Sequence, residues 1–391
     1  MHPDFQQLMS QATRLTRSGN LAAATAAIQA ALMGASPTAA SAAPRYDEAD
    51  VIDVEAREVP ASTVSAAASS DSGSHSTPAP SRARDDDVGQ NPHTPDTPRA
   101  PGESSATPGD YFTAGSFRNS AGQRAYKLYV PPGASGQARP LVVMLHGCTQ
   151  DADDFAAGTA MNEAARKQGF YVLYPVQPRE TNPQKCWNWF KHNHQQAGKG
   201  EPSILADMTR HVIAEYGIDP RRVYVAGLSA GGAMAAILAN TYPQLYAAAG
   251  VHSGLAAGAA TDLPSALSAM KGIGVRPGAA SGTPVPTIVF HGDRDATVHP
   301  SNGDAVVAAS AGANAQVQSQ RVAGANRGRD STKRVYMDAS GKVVAEYWVV
   351  HGAGHAWAGG SPKGTYTDAS GPDATQEMLR FFFEHPLPTK Q

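Results

Sequence analysis

Cysteine is nearly absent: Cys148 and Cys186 are the only two in 391 residues. That excludes a disulfide-stapled scaffold and any zinc site built from several thiolates. A surplus of charge is missing too. The chain has 32 basic and 34 acidic side chains, a net −2, so it offers no basic footprint for nucleic acid. Long apolar runs are lacking. The longest uncharged stretch, residues 223–261, is interrupted by glycines, Asn240, Pro243 and Gln244, and reads as core and loop with no transmembrane segment. Aromatics are scarce at the start. Of the chain's 4 Trp, 13 Tyr and 10 Phe, only Phe5 and Tyr46 precede residue 110. The first 110 residues therefore cannot build much core, whereas residues 111–391 can.

Three segments follow from this distribution. Residues 1–34 read as a short helical hairpin: Phe5, Leu8, Met9, Ala12 and Leu15 form one apolar stripe, and Leu21, Ala24, Ile28, Ala31 and Leu32 repeat it after a Ser18-Gly19-Asn20 turn. The hairpin is a candidate for docking or for self-association; a small packing appendage is the plainer reading. Residues 35–110, rich in Ala, Ser, Pro, Asp and Thr, read as a disordered linker. The Ala-rich stretch at residues 21–32 is broken by Thr25 and Gln29 and holds few large apolar residues, which makes it a poor export signal. A cytoplasmic location is the expectation, with secretion as the alternative.

From Tyr111 the text changes. Strand-like runs at residues 124–130, 140–145, 170–174, 222–226, 287–290 and 344–350 alternate with helical spacing at 155–168, 204–216, 231–242 and 375–383. Such alternation predicts an α/β domain, a mostly parallel sheet with helices on both faces.

Gly227-Leu228-Ser229-Ala230-Gly231 is a Gly-x-Ser-x-Gly pentapeptide. In a Gly- and Ser-rich chain the pattern alone means little. Its position adds weight, because an apolar strand leads in and an Ala-rich helix leads out, the context a nucleophile elbow requires. Ser229 is thus the candidate nucleophile, and it needs a base with an orienting acid. The strand at 287–290 runs into His291-Gly292-Asp293-Arg294-Asp295. Both acids are candidates. Asp293 directly follows the glycine turn and suits loop capping, so Asp295 is favoured. The last strand leads into His351-Gly352-Ala353-Gly354-His355. His351 sits at the strand end as a packing residue would, and His355 lies on a loop able to fold back over the elbow. His252 and His299 lack that context. Backbone N–H groups of Ala230 and of Cys148, in the loop after the early strand, are the candidate oxyanion donors.

The set Leu145-His146-Gly147-Cys148-Thr149-Gln150, Cys186-Trp187-Asn188-Trp189-Phe190, the serine pentapeptide, His291 to Asp295 and Gly354-His355-Ala356-Trp357 resembles the poly(3-hydroxybutyrate) depolymerase family of esterases. The match runs over residues 111–386. It implies an α/β-hydrolase with a Ser229, Asp295, His355 triad, needing no metal and no organic cofactor, and acting on a polyester or another ester substrate. Polyhydroxyalkanoate, as poly(3-hydroxybutyrate) or its oligomers, is the expected substrate, with feruloyl or acetylxylan esters the runner-up, and a polymer granule is then the surface on which the 1–34 hairpin would dock. With no polymer-binding module after Pro386, the layout is nearer the intracellular or soluble-ester branch. Trp187, Trp189 and Trp357 are candidate walls of the acyl pocket, with core filling as the alternative. Cys148 and Cys186 form either a disulfide across the pocket mouth or two buried thiols. The rival from another class is a non-catalytic, hydrolase-like binding module.

Overall fold

In a computed structural model, residues 111–134, 136–275 and 284–389 are described. The hairpin and linker expected at 1–34 and 35–110 lie outside these residues. The domain opens with an antiparallel pair, β1 (Tyr111–Asn119) and β2 (Gly122–Val130). The apolar run at 140–145 becomes β3 (Leu141–Leu145), followed by α1 (Ala152–Thr159), α2 (Met161–Gln168) and β4 (Tyr171–Pro175). The single helix expected over 155–168 is two, because Ala160 adopts φ 52° between them.

Next come α3 (Gly200–Tyr216), β5 (Val223–Leu228), α4 (Ala230–Thr241), β6 (Ala248–His252), α5 (Leu263–Met270), β7 (Thr287–Gly292) and α6 (Ser301–Ala311). The chain closes with β8 (Gln316–Val322), β9 (Ser331–Met337), β10 (Val343–Val350), the short pair β11 (Trp357–Ala358) and β12 (Thr367–Asp368), and α7 (Ala374–Glu384).

Among the described residues, ten strands form one sheet in the order β1-β2-β4-β3-β5-β6-β7-β10-β9-β8. From β4 through β10 the neighbours pair in parallel, and both edges are antiparallel. Central strands bury both faces, which is why they read as continuous apolar runs. The alternation still sorts them. Leu141, Val143, Leu145 and Val225 pack with α3 and α4, while Val142, Met144, Tyr224 and Ala226 pack with α1, α2 and α7. β6 lies within the stretch expected to be core and loop. Its Ala-Ala-Gly-Val-His text is short and weak in β-branched residues, and Gly250 exists there because a Cβ would come within 2.7 Å of Met378 Sδ on α7. The parallel order puts the C-terminal ends of β3, β5, β6, β7 and β10 along one rim, where open α/β sheets hold their ligands.

Candidate active site

β5 ends at Leu228 and α4 begins at Ala230, leaving Ser229 alone at the corner with φ 57° and ψ −118°. A non-glycine residue there stores strain of about 1–3 kcal/mol, held by its surroundings. Ser229 N–H donates to His252 O at 2.9 Å, and Ser229 O accepts from Ala233 N–H at 2.9 Å. The flanking glycines have no substitute. A Cβ on Gly227 would lie 2.4 Å from the Gly231 carbonyl, and one on Gly231 would lie 2.0 Å from Leu145 O. Strand, corner and helix approach so closely that only hydrogen fits.

The loop after β7 carries Asp295 and the loop after β10 carries His355. Asp295 Oδ2 accepts from His355 Nδ1–H at 2.7 Å, while its Oδ1 accepts the N–H groups of Thr297 (2.9 Å) and Val298 (2.8 Å). Burial pushes this carboxyl up, but the His355 bond and charge and the Val298 N–H outweigh it and hold it below the usual range. With Nδ1–H committed to Asp295, His355 Nε2 remains as the acceptor. Ser229 and His355 line one cavity of about 320 Å3.

Asp293 and His351 make a second, outer pair, Nδ1 to Oδ2 at 2.9 Å. Asp293 Oδ1 also accepts Gly352 N–H at 2.7 Å, and His351 Nε2 contacts Thr332 Oγ1 at 2.9 Å. This pair stitches the acid loop to the base loop on the surface. His252, a discarded candidate, is buried between Phe290 and Trp357 and accepts Ala358 N–H at 2.9 Å. Burial and the neighbouring His291 and His355 push it down to about 3, so it is neutral.

The loop after β3 lies against the 176–199 loop. His146 donates from Nδ1 to Gly147 O (2.7 Å) and accepts Gln177 N–H at Nε2 (3.2 Å); burial pushes it down to about 4. Thr149 N–H donates to Gln184 O at 2.6 Å, and a disulfide joins Cys148 to Cys186. Closing a loop of 38 residues constrains the unfolded chain by about 4 kcal/mol in the chain-entropy account. Protein purified aerobically should therefore titrate no free thiol when denatured without reductant, and Cys148→Ser with Cys186→Ser should lower Tm by several degrees. Two free thiols in the unreduced protein would remove the bridge.

The aromatic cluster differs from expectation. Trp189 lines an apolar cavity of about 240 Å3 beside Ser229. Trp187 and Trp357 do not line it. Trp187 is fully buried and donates Nε1–H to His146 O at 3.1 Å. Trp357 lies edge-on to Phe155, stacks on His252, and donates to Thr375 Oγ1 at 3.0 Å. Both indoles find a partner inside the core, which suits packing.

Two features left no signal in the chain. Glu201, 1% exposed, accepts from Arg124 (3.1 Å), Gln177 (2.5 Å), Asn188 N–H (2.7 Å) and Asn188 Nδ2 (2.8 Å). Burial pushes its carboxyl up, yet His194, Gln177 and Asn188 bring it down to about 2. The other is α5, whose Ala266, Leu267 and Met270 wall the apolar cavity. Among the described residues, no group of three or more His, Cys, Asp or Glu side chains is placed to hold a metal ion, and no helix is long and apolar enough to cross a membrane.

A family model described as Esterase PHB depolymerase matches residues 124–336. Poly(3-hydroxyalkanoate) depolymerase C of Paucimonas lemoignei is 35% identical over 251 residues, 61% of this chain and 60% of that protein. Probable acetylxylan esterase A of Aspergillus fumigatus is 34% identical over 171 residues, 40% of this chain and 44% of that one. The chain thus spans less than two thirds of the length of these curated relatives. An acetyl xylan esterase structure from Aspergillus awamori superposes with a TM-score of 0.50 at 21% identity, covering 66% of this chain and 94% of that one. That likeness concerns the fold, which is α/β-hydrolase.

Proposed function

The chain belongs to the esterase PHB depolymerase family, and from that membership we propose that it is a serine carboxylester hydrolase cleaving polyhydroxyalkanoate, such as poly(3-hydroxybutyrate), or its oligomers. One observation carries the reading: a serine at a strained strand–helix corner shares a cavity with a histidine whose Nδ1–H is held at 2.7 Å by a buried carboxylate. In this reading Ser229 Oγ attacks the ester carbonyl, His355 Nε2 takes the proton, and Asp295 keeps the imidazole in the required tautomer and stabilises its cation. The leaving alcohol receives that proton, and water then cleaves the acyl-enzyme by the reverse route.

Gly147 N–H is committed to Gln150 Oε1 at 2.9 Å and Thr149 N–H to Gln184 O. Cys148 N–H, with no acceptor among the described residues, serves as one oxyanion donor, and Ala230 N–H at the start of α4 as the other. Each such donor contributes about 3–4 kcal/mol to barrier lowering. The Cys148–Cys186 bridge supports the secreted alternative over a reducing cytoplasm.

Acetylxylan or feruloyl ester cleavage is the second reading, favoured by the likeness to an acetylxylan esterase. Purified full-length protein should hydrolyse p-nitrophenyl butyrate and be labelled at Ser229 by a fluorophosphonate; neither occurring would leave the non-catalytic module standing. A kcat/KM for methyl ferulate or acetylated xylan ten times that for the 3-hydroxybutyrate trimer, about 1.4 kcal/mol of transition-state preference, would reverse the ranking.

A further inference from the structure

Two cavities meet at Ser229 and a third adjoins the second, and together they give an ester a direction. The first, about 240 Å3, lies under α5 and is walled by Trp189, Phe190, Leu255, Ala266, Leu267 and Met270. At roughly 30 Å3 per water it would hold on the order of eight waters, which is room for a short acyl group. The second contains Ser229, Thr297 and His355 and shares Cys148, Ser229 and Met270 with the first. The third, about 490 Å3, is polar. It is lined by Thr149, Gln150, Asp151, Asp154, Thr365 and Tyr366, and shares Gln150 and Tyr366 with the second.

Proton delivery sets the direction. The leaving alkoxide must receive its proton from the base that took it from the serine, so the alcohol oxygen has to lie on the His355 side, in the second cavity. Continuing the alcohol beyond that point leads past Tyr366 into the polar cleft. The acyl carbon, bonded to Ser229, leaves the other way, into the cavity that Cys148 and Ala230 also line.

We propose that the acyl half of the ester occupies the apolar cavity under α5, and that the alcohol half runs past Met270 and Tyr366 into the polar cleft, where Asp151 and Asp154 disfavour alcohols carrying a carboxylate. The substrate class is therefore esters with a short acyl half and an uncharged alcohol half, so that in a 3-hydroxybutyrate oligomer the disfavoured bond is the one to a terminal unit with a free carboxylate. Asp154 is committed to Thr365 N–H (2.8 Å), Thr365 Oγ1 (2.6 Å) and Gln150 Nε2 (2.8 Å). Asp151 caps α1 and meets Lys185 Nζ at 3.2 Å, with half of its side chain open to the cleft. Burial pushes Asp151 up, but the Asp154 N–H and Lys185 hold it below the usual range, so it is anionic at neutral pH. Like charges repel an anionic leaving group there, and added salt screens the effect.

This inference rests on the esterase reading, and wild-type turnover of p-nitrophenyl acetate separates the two: no turnover defeats that reading and this one with it. Given turnover, O-butyryl glycolamide and O-butyryl glycolate, which differ in the charge of the alcohol half, form the first arm. The wild type should favour the neutral amide at least tenfold in kcat/KM at pH 7 and low salt, and Asp151→Asn should narrow the ratio to about threefold. The second arm compares p-nitrophenyl butyrate with p-nitrophenyl acetate. Ala266→Phe, or Leu267→Trp at a half-exposed position that tolerates bulk, should lower the butyrate-to-acetate ratio at least tenfold without moving the amide-to-glycolate ratio. Equal rates on the amide and the glycolate would overturn the charge discrimination. A variant at Ala266 or Leu267 that moved the alcohol preference and spared the acyl preference would reverse the direction.

Discussion

Ser229→Ala, His355→Ala and Asp295→Asn should each lower kcat by about 10,000-fold or more, and combining them should cost little beyond the worst single change. Members of one relay act as a unit, so their losses do not add. Asp295→Asn is the most informative of the three. The replacement fits the same space and can still accept Thr297 and Val298 N–H, but its amide can no longer act as a carboxylate toward His355 Nδ1–H, so the imidazole adopts the wrong tautomer. Asp293→Asn and His351→Gln act on the outer pair, whose side chains are about two-fifths exposed, 37% and 40%. Exposed pairs of this kind contribute about 0–1 kcal/mol, so both variants should keep most of the activity. Steady-state kinetics with p-nitrophenyl butyrate, with Tm measured in parallel, check the set. Loss of turnover in Asp293→Asn with Asp295→Asn spared would move the acid to the outer position.

Glu201→Ala should be among the most destabilising substitutions in the domain, by about 3–5 kcal/mol. It would leave Arg124, 6% exposed, as a buried charge without its partner, and would release Gln177 and both Asn188 donors. Replacing both charges, as in Glu201→Leu with Arg124→Met, should recover much of that loss, because a paired apolar replacement strands no ion. The pH dependence has a definite sign. A carboxylate whose pKa is lowered on folding stabilises the fold fully above its unfolded value of 4.5, and the contribution fades as pH falls from there to about 2. Urea denaturation at pH 7 and pH 3 measures both effects. Wild type and Glu201→Ala should converge as the pH drops, and a constant gap would place the effect in packing alone.

Legibility in the chain followed the range of the interactions. Strand β5, the elbow and helix α4 are contiguous, so the pentapeptide with its flanking text announced Ser229 and its geometry. The parallel core strands were readable because burial on both faces makes them continuous apolar runs. Edge strand β8, Gln-Val-Gln-Ser-Gln-Arg-Val, was not, since its solvent-facing residues leave no apolar period to detect. The tryptophans show the same limit. Trp187, Trp189 and Trp357 look alike in the text, yet of the three only Trp189 reaches the cavity, because Trp187 turns inward to the His146 carbonyl and Trp357 to the Thr375 hydroxyl.

What the sequence determined by itself was local: the α/β alternation, the sharp turn at Ser229, and two short loops each offering an acid or a base. Tertiary structure decided the rest. The pairing of Asp295 with His355 across 60 positions, and of Asp293 with His351 across 58, depends on β7 and β10 lying side by side in parallel, so that their following loops emerge together at one rim. Glu201 and Arg124 sit 77 positions apart, and each looks like an ordinary surface charge until the fold removes water from both. A hydrogen bond or ion pair has directional reach of only a few ångströms. Spacing along the chain therefore reveals it only when both partners share one element, and a sheet that reorders its strands erases that record.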